Sequence, residues 1–181
     1  MVSFTQSERR ASLGLASVFS LRMFGLLVIL PVVALYANSM PGGESATLIG
    51  LAVGIYGLTQ AIFQIPLGRL SDYWGRKKTI YLGLLIFILG SLVAASADSL
   101  LWLCIGRAIQ GAGAISSAVI ALNADLTRDE VRTKSMAVIG VTIGLTFILS
   151  IVLGPVLDSI VGLPGIFLIT ALLTLVAMVI V

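Results

Sequence analysis

Six apolar stretches, each about the length of a membrane-crossing helix, occupy nearly the whole chain: residues 12–37, 46–68, 79–97, 100–126, 135–160 and 163–181. A helix needs roughly 20 apolar residues to cross about 30 Å of hydrocarbon. The breaks between the runs are short and carry turn chemistry. Residues 38–45, rich in Ser, Gly and Pro, part the first pair, and Gly162 with Pro164 parts the last. The pattern predicts an all-α membrane protein of six transmembrane helices, with nothing left over for a soluble domain.

Composition agrees. Of 181 residues, 59% are hydrophobic and 10% charged, and mean hydropathy is +1.14. Soluble domains carry about 25% charge. A disordered chain, a nucleic-acid-binding module and a secreted disulfide scaffold are all disfavoured. Cys104 is the one cysteine, so no internal disulfide is possible. Histidine is absent, which removes the commonest metal ligand and general base. With no nucleophile–base pair and no metal-ligand cluster, the expectation is a protein that is not an enzyme and has neither metal nor cofactor.

The lysines and arginines set an orientation. If the N-terminus is cytoplasmic, the inner positions hold Arg9, Arg10, Arg69, Arg76, Lys77, Lys78, Arg128, Arg132 and Lys134, nine basic residues against none in the outer turns. The outer charges are Glu44, Asp98 and Asp158. Both ends are therefore expected on the cytoplasmic side. The first run resembles the opening of a signal peptide, but it is too long and Arg22 interrupts it, so it reads as a span. The sixth run stops at Val181 with no basic flank, which reads as a cut in a longer protein.

Two charges lie inside spans, Arg22 and Arg107. A central arginine costs about 2.5–3.5 kcal/mol on the insertion scale. Neither has a carboxylate in its own layer, because every Asp and Glu falls at a helix end or in a turn. The partner of each must be a neutral dipole, an anionic substrate group, or a residue outside these 181. Helical spacing adds Tyr56, Gln60 and Gln64 at i, i+4 and i+8 as a polar, cavity-lining face. Arg107, Gln110 and Gly111 share a face on the fourth span. Thr142, Thr146 and Ser150 share one on the fifth, read as interhelical hydrogen bonding. Gly50, Gly54, Gly57 and Ala61 predict a close-packing face turned away from the glutamines. Gly111, Gly113, Gly140 and Gly144 predict similar contacts. Gly154-Pro155 should bend or locally open the fifth span, and Pro31 and Pro66 the first two.

Between the second and third spans, Gly68, Leu70, Ser71, Asp72, Gly75, Arg76 and Lys77 form a basic loop holding one acid, with Asp125 facing it from the end of the fourth span. Acid–base pairs at one membrane face suit a latch whose strength depends on conformation. This loop resembles motif A of the major facilitator superfamily, G-x-L-[AS]-D-[RK]-x-G-[RK]-[RK], with Tyr73 in place of the usual basic residue. Arg107 through Gln110, Gly111, Gly113 and Ala114 resembles motif B. Arg22 through Gly25 to Pro31 is similar to the first helix of the drug–proton antiporter branch. Motif C of that branch ends Gly-Pro-x-x-Gly-Gly, whereas Gly154-Pro155 here is followed by Asp158-Ser159.

The resemblance implies that residues 1–181 are the N-terminal six-helix half of a 12-helix fold, built as two inverted three-helix repeats in which the first and fourth spans correspond. It implies a multi-pass protein of the bacterial inner membrane, working as a secondary active transporter of a small organic compound by alternating access, with proton-coupled efflux. Its partners would be that substrate, protons, the lipid bilayer and the missing C-terminal half, with no nucleic acid. By resemblance Asp72 contacts a helix of the second half, Arg76 pairs with Asp125, and Arg107 serves proton coupling or substrate binding. The alternative is a self-contained six-helix unit acting as a homodimeric half-transporter or a scaffold.

Overall fold

The computed structural model describes residues 3–37 and 39–181; Asn38, the first residue of the predicted first break, lies outside them. The described residues form seven helical segments. Helix α1 (Gln6–Leu27) opens on a capping box in which Thr5 Oγ1 accepts from the Glu8 N–H at 3.3 Å and the Thr5 N–H donates to Glu8 Oε2 at 2.8 Å. It stops at Leu27, and α2 (Leu30–Ala37) resumes after a two-residue turn with Pro31, which has no N–H to give, near its start.

Ser45 caps α3 (Ala46–Trp74), and Gly75 alone separates it from α4 (Arg76–Ala95). Gly75 has φ 106°, a left-handed conformation that a side chain would resist. Ser99 caps α5 (Leu100–Ala112), residues 113–115 are non-helical, and α6 (Ser116–Leu126) completes the fourth run. The last segment, α7 (Asp129–Ile180), has 52 residues. At 1.5 Å per residue that is about 78 Å, more than twice the hydrocarbon core. Gly162, at φ 67° and ψ 177°, breaks it into two limbs.

Contacts give the direction of each span. Ser12 Oγ lies 2.6 Å from Ser135 Oγ, and Gly154 packs on the Val28 carbonyl, so the first limb of α7 runs alongside α1 in the same sense. Past Gly162 the order reverses, with Thr170 against Gly25 and Ile180 against Gly14. Gly90 packs on Gln110 and Gly106 on Ala94, which makes α4 antiparallel to α5. The chain thus crosses six times, and Lys77 Nζ donates to the Val181 carbonyl at 2.6 Å while Arg128 Nη2 donates to the Ser3 carbonyl at 3.3 Å. Both ends and the nine basic loop and end residues share one end of the bundle, called here the basic end.

The helices overrun several predicted limits. Helix α3 continues to Trp74 instead of 68, α1 begins at Gln6 instead of 12, and α7 at Asp129 instead of 135. Hydropathy marks only the apolar part of a helix, whereas caps and charged end turns set its true end. The fifth span stays helical through Gly154-Pro155, and Gly162 is its one non-helical position. The expected local opening at Gly154-Pro155 is therefore corrected: Gly154 is a contact point, where a Cβ would lie 2.8 Å from the Val28 carbonyl and 3.0 Å from Pro31.

Two apolar clusters fill the interior. Leu15, Phe19, Ile80, Leu84, Ile115 and Val119 belong to the one toward the basic end. Val28, Val32, Leu100, Leu103, Ile166 and Phe167 belong to the one toward the far end. The layer between them is polar.

Candidate functional site

Arg22 and Arg107 occupy that middle layer, 2% and 0% exposed. Arg22 lies between Phe19 of one apolar cluster and Val28 of the other. Its Nη2 donates to the Gly113 carbonyl at 3.0 Å. That carbonyl stands in the 113–115 interruption, so the break in the fourth span supplies the acceptor. Arg107 Nη1 donates to Gln110 Oε1 at 3.1 Å, Gln110 Nε2 to Ser91 Oγ at 2.8 Å, and Ser91 Oγ to the Phe87 carbonyl at 2.8 Å. Of the three partners the sequence left open, the described structure provides neutral dipoles.

Both guanidiniums also lie over one aromatic ring. The Tyr56 centroid is 4.9 Å from Arg107 Cζ and 5.9 Å from Arg22 Cζ, and Phe87 lies 5.5 Å from Arg22 Cζ. Each desolvated contact of this kind is worth up to about 2 kcal/mol. Tyr56 and Phe87 meet edge to face at 6.4 Å. Tyr56 Oη, Arg22 Nε and Arg107 Nε are buried with no hydrogen-bond partner among the described residues.

The two arginines occupy matching places in their spans. Six residues after Arg22 the helix breaks at 28–29, and six residues after Arg107 it breaks at 113–115.

Tyr56 also forms one wall of an open groove of about 330 Å³, whose lining includes Leu26, Leu30, Gly57, Gln60 and Gln64. Helix α3 is the least covered of the five long apolar helices, with 11% of its most apolar window buried against 67% for residues 100–126. Gly111 brings the fourth span against α3 here, since a Cβ would collide with Thr59 Oγ1 and the Tyr56 carbonyl.

At the basic end Arg76 joins three partners. Its Nη1 donates to Ser71 Oγ at 2.8 Å and pairs with Asp72, while its Nε donates to Asp125 Oδ2 at 3.2 Å. Ser71 Oγ in turn donates to the Gly68 carbonyl at 2.8 Å. Asp72 and Asp125 are more than half exposed, so each pair contributes at most about 1 kcal/mol. Lys77 turns away to Val181.

Several small-residue readings need correction. Gly54 and Gly57 line the same groove as Gln60 and Gln64, and a Cβ at Gly50, Gly54 or Gly57 would meet nothing within 4 Å. At about 100° per residue, Gly57 lies only about 20° from Gln64 around the helix. Gly140 and Gly144 likewise meet nothing, so Gly144 makes no helix contact among the described residues. It sits about 200° around from buried Thr146. Thr142 and Thr146 donate to carbonyls of their own helix, Ile139 at 2.8 Å and Thr142 at 2.7 Å, not across helices as expected.

Two polar clusters escaped the sequence reading. Glu8, 5% exposed, accepts from Arg128 Nε at 2.7 Å, Arg128 Nη2 at 3.1 Å and the Arg128 N–H at 3.2 Å. The Glu8 carboxylate holds the Arg128 guanidinium above its ordinary pKa range. Ser12, Ser135 and Asn123 form a buried trio in which Ser135 Oγ donates to Asn123 Oδ1 at 2.7 Å. The available signals were the Thr5-x-x-Glu8 capping box and a lone Asn within an apolar run.

The sequence model of the Major Facilitator Superfamily matches residues 12–181. The chain belongs to this superfamily. It is 53% identical over 169 residues to the inner membrane transport protein YajR of Escherichia coli, covering 93% of this chain and 37% of that protein. It is 34% identical over 140 residues to the class H tetracycline resistance protein of Pasteurella multocida, covering 76% of this chain and 34% of that one. The fold matches the POT family transporter PepTSo with a TM-score of 0.78 at 18% identity, over 99% of this chain and 37% of that structure. These superfamily relatives are more than twice as long as the part of them that this chain spans. As a superfamily member with six apolar crossings, the chain is a multi-pass membrane protein.

Proposed function

We propose that this chain forms the N-terminal half of a secondary transporter that moves a small organic compound by alternating access, in the direction of proton-coupled efflux. The observation that carries the reading is the groove on α3. Gln60 and Gln64 are two amides on the largely uncovered membrane-spanning part of α3, and amides facing hydrocarbon without partners would cost several kcal/mol. A water-filled cavity shared with a second half resolves that cost. The exposed Asp72–Arg76–Asp125 cluster supplies pairs weak enough to open and close with each cycle.

The relatives, an inner membrane transport protein and tetracycline resistance proteins, support both parts of the reading. The basic end faces the cytoplasm of a bacterial inner membrane in this reading, as the nine-to-none distribution of loop cations favours. Purified full-length protein in proteoliposomes tests it. Efflux of a fluorescent amphipathic compound should depend on an imposed proton gradient and fall in Asp72→Asn. Flux that ignores both the gradient and the substitution refutes the coupling and the latch.

A further inference from the structure

The middle layer holds two cations and no anion. All eight acids of the chain lie at helix ends or in turns, away from Arg22 and Arg107. Apart from one carbonyl and one amide oxygen, the negative potential beside them is aromatic: Phe87 faces Arg22 alone, and the Tyr56 ring is the one face that both guanidiniums share. That ring has no polar tether, because Tyr56 Oη is buried without a partner. One Nε–H on each arginine is also buried and unused. Buried donors of this kind are normally satisfied.

The ring also has somewhere to go. Tyr56 walls the groove, and the missing side chains of Gly54 and Gly57 leave the space beside it open, with nothing within 4 Å of a Cβ at either position. The Tyr56 backbone is fixed, since its carbonyl is pressed by Gly111 and accepts from Thr59 Oγ1 at 3.1 Å. Any displacement of Tyr56 is therefore confined to its side chain.

We infer that Tyr56 is a displaceable stand-in for an anion: the carboxylate of a small organic acid, arriving through the groove, turns the ring aside and is held by Arg22 and Arg107. A carboxylate offers two oxygens to two guanidiniums and would take up the unused Nε–H donors. The inference deepens the proposed function by naming a substrate class, and it rests on that reading only for the groove being wet.

The test is binding, not flux. Full-length protein in detergent is titrated with sodium acetate against sodium chloride at constant ionic strength, and its melting temperature is followed. Acetate should give a saturable rise that chloride does not. Tyr56→Ala, which removes the competitor, should reach half of that rise at about tenfold lower acetate, because the population cost of moving the ring is gone. Arg107→Gln should lose the rise, with Arg22→Lys as the second variant if that protein does not fold.

A wild type without a saturable response overturns the inference, including the case in which a carboxylate from elsewhere in the full protein already fills the place. A Tyr56→Ala protein that binds acetate more weakly overturns it too, since the ring would then be part of the site. Failed transport with an intact acetate response would refute the transporter reading and leave the anion site standing.

Discussion

Arg128 grips the Glu8 carboxylate at both oxygens, Nε to Oε1 at 2.7 Å and Nη2 to Oε2 at 3.1 Å, and so ties the first turn of α1 to the start of α7. The same carboxylate closes the α1 capping box through Thr5. If the two residues act as one unit, Glu8→Gln and Arg128→Gln should each lower the melting temperature, and the double variant should lose no more than the worse single. A double-mutant cycle on purified protein measures this, and additive losses would mean that the clasp contributes nothing as a pair.

Gly111 and Gly144 make a matched comparison. Ala at 111 drives a Cβ into Thr59 and the backbone of Tyr56, and should destabilise by about 1–3 kcal/mol. Ala at 144 meets open space and should stay within about 0.5 kcal/mol of the parent. Reversible unfolding in mixed micelles separates the two.

Arg76 uses Nη1 and Nε toward three different partners. Lysine keeps the charge and three donors, but they radiate from one nitrogen, so it does not reproduce the separated Nη1 and Nε contacts to Ser71 and Asp72 and to Asp125. Arg76→Lys in the full-length protein should therefore behave more like Arg76→Gln than like wild type in a flux assay. Wild-type rates in the lysine variant would reduce the cluster to a simple charge effect.

The groove can be probed from the water side. In a background of Cys104→Ser, cysteine at Gln64 should react with a membrane-impermeant maleimide when the cavity is open to that side. Cysteine at Leu58, 56% exposed on the same helix and absent from the groove lining, should not. Equal labelling at both would remove the wet groove.

Much of the architecture was readable because hydropathy is a local property. Six runs, their alternation and the turn at Gly162 follow from neighbours along the chain. Pro31 marked an irregularity near 28–29, but the break at 113–115 was hidden, since an apolar run looks the same whether or not its helix is continuous. Glu8 meets Arg128 across 120 positions, a pairing that no local pattern encodes. The glycine face of α3 was misplaced for a different reason. Steps of four residues drift about 40° each, so a stripe that starts at Tyr56 swings toward Gly57 by the time it reaches Gln64. Arg22 and Arg107 were visible as buried charges. Their convergence on one tyrosine depends on the packing of three spans.

The interrupted helices also bear on how the chain enters the bilayer. Helix α2 has eight residues and α6 has 11, about 12 and 16 Å of rise, and neither alone reaches across the hydrocarbon. Each piece must be delivered joined to α1 or α5 as one unit of continuous hydrophobicity. The Gly113 carbonyl, left open at the α5–α6 junction, acquires its partner only when the first and fourth spans dock. During synthesis the first span therefore enters the membrane with Arg22 unmatched, and the fourth span, made later, brings the open carbonyl that the arginine takes.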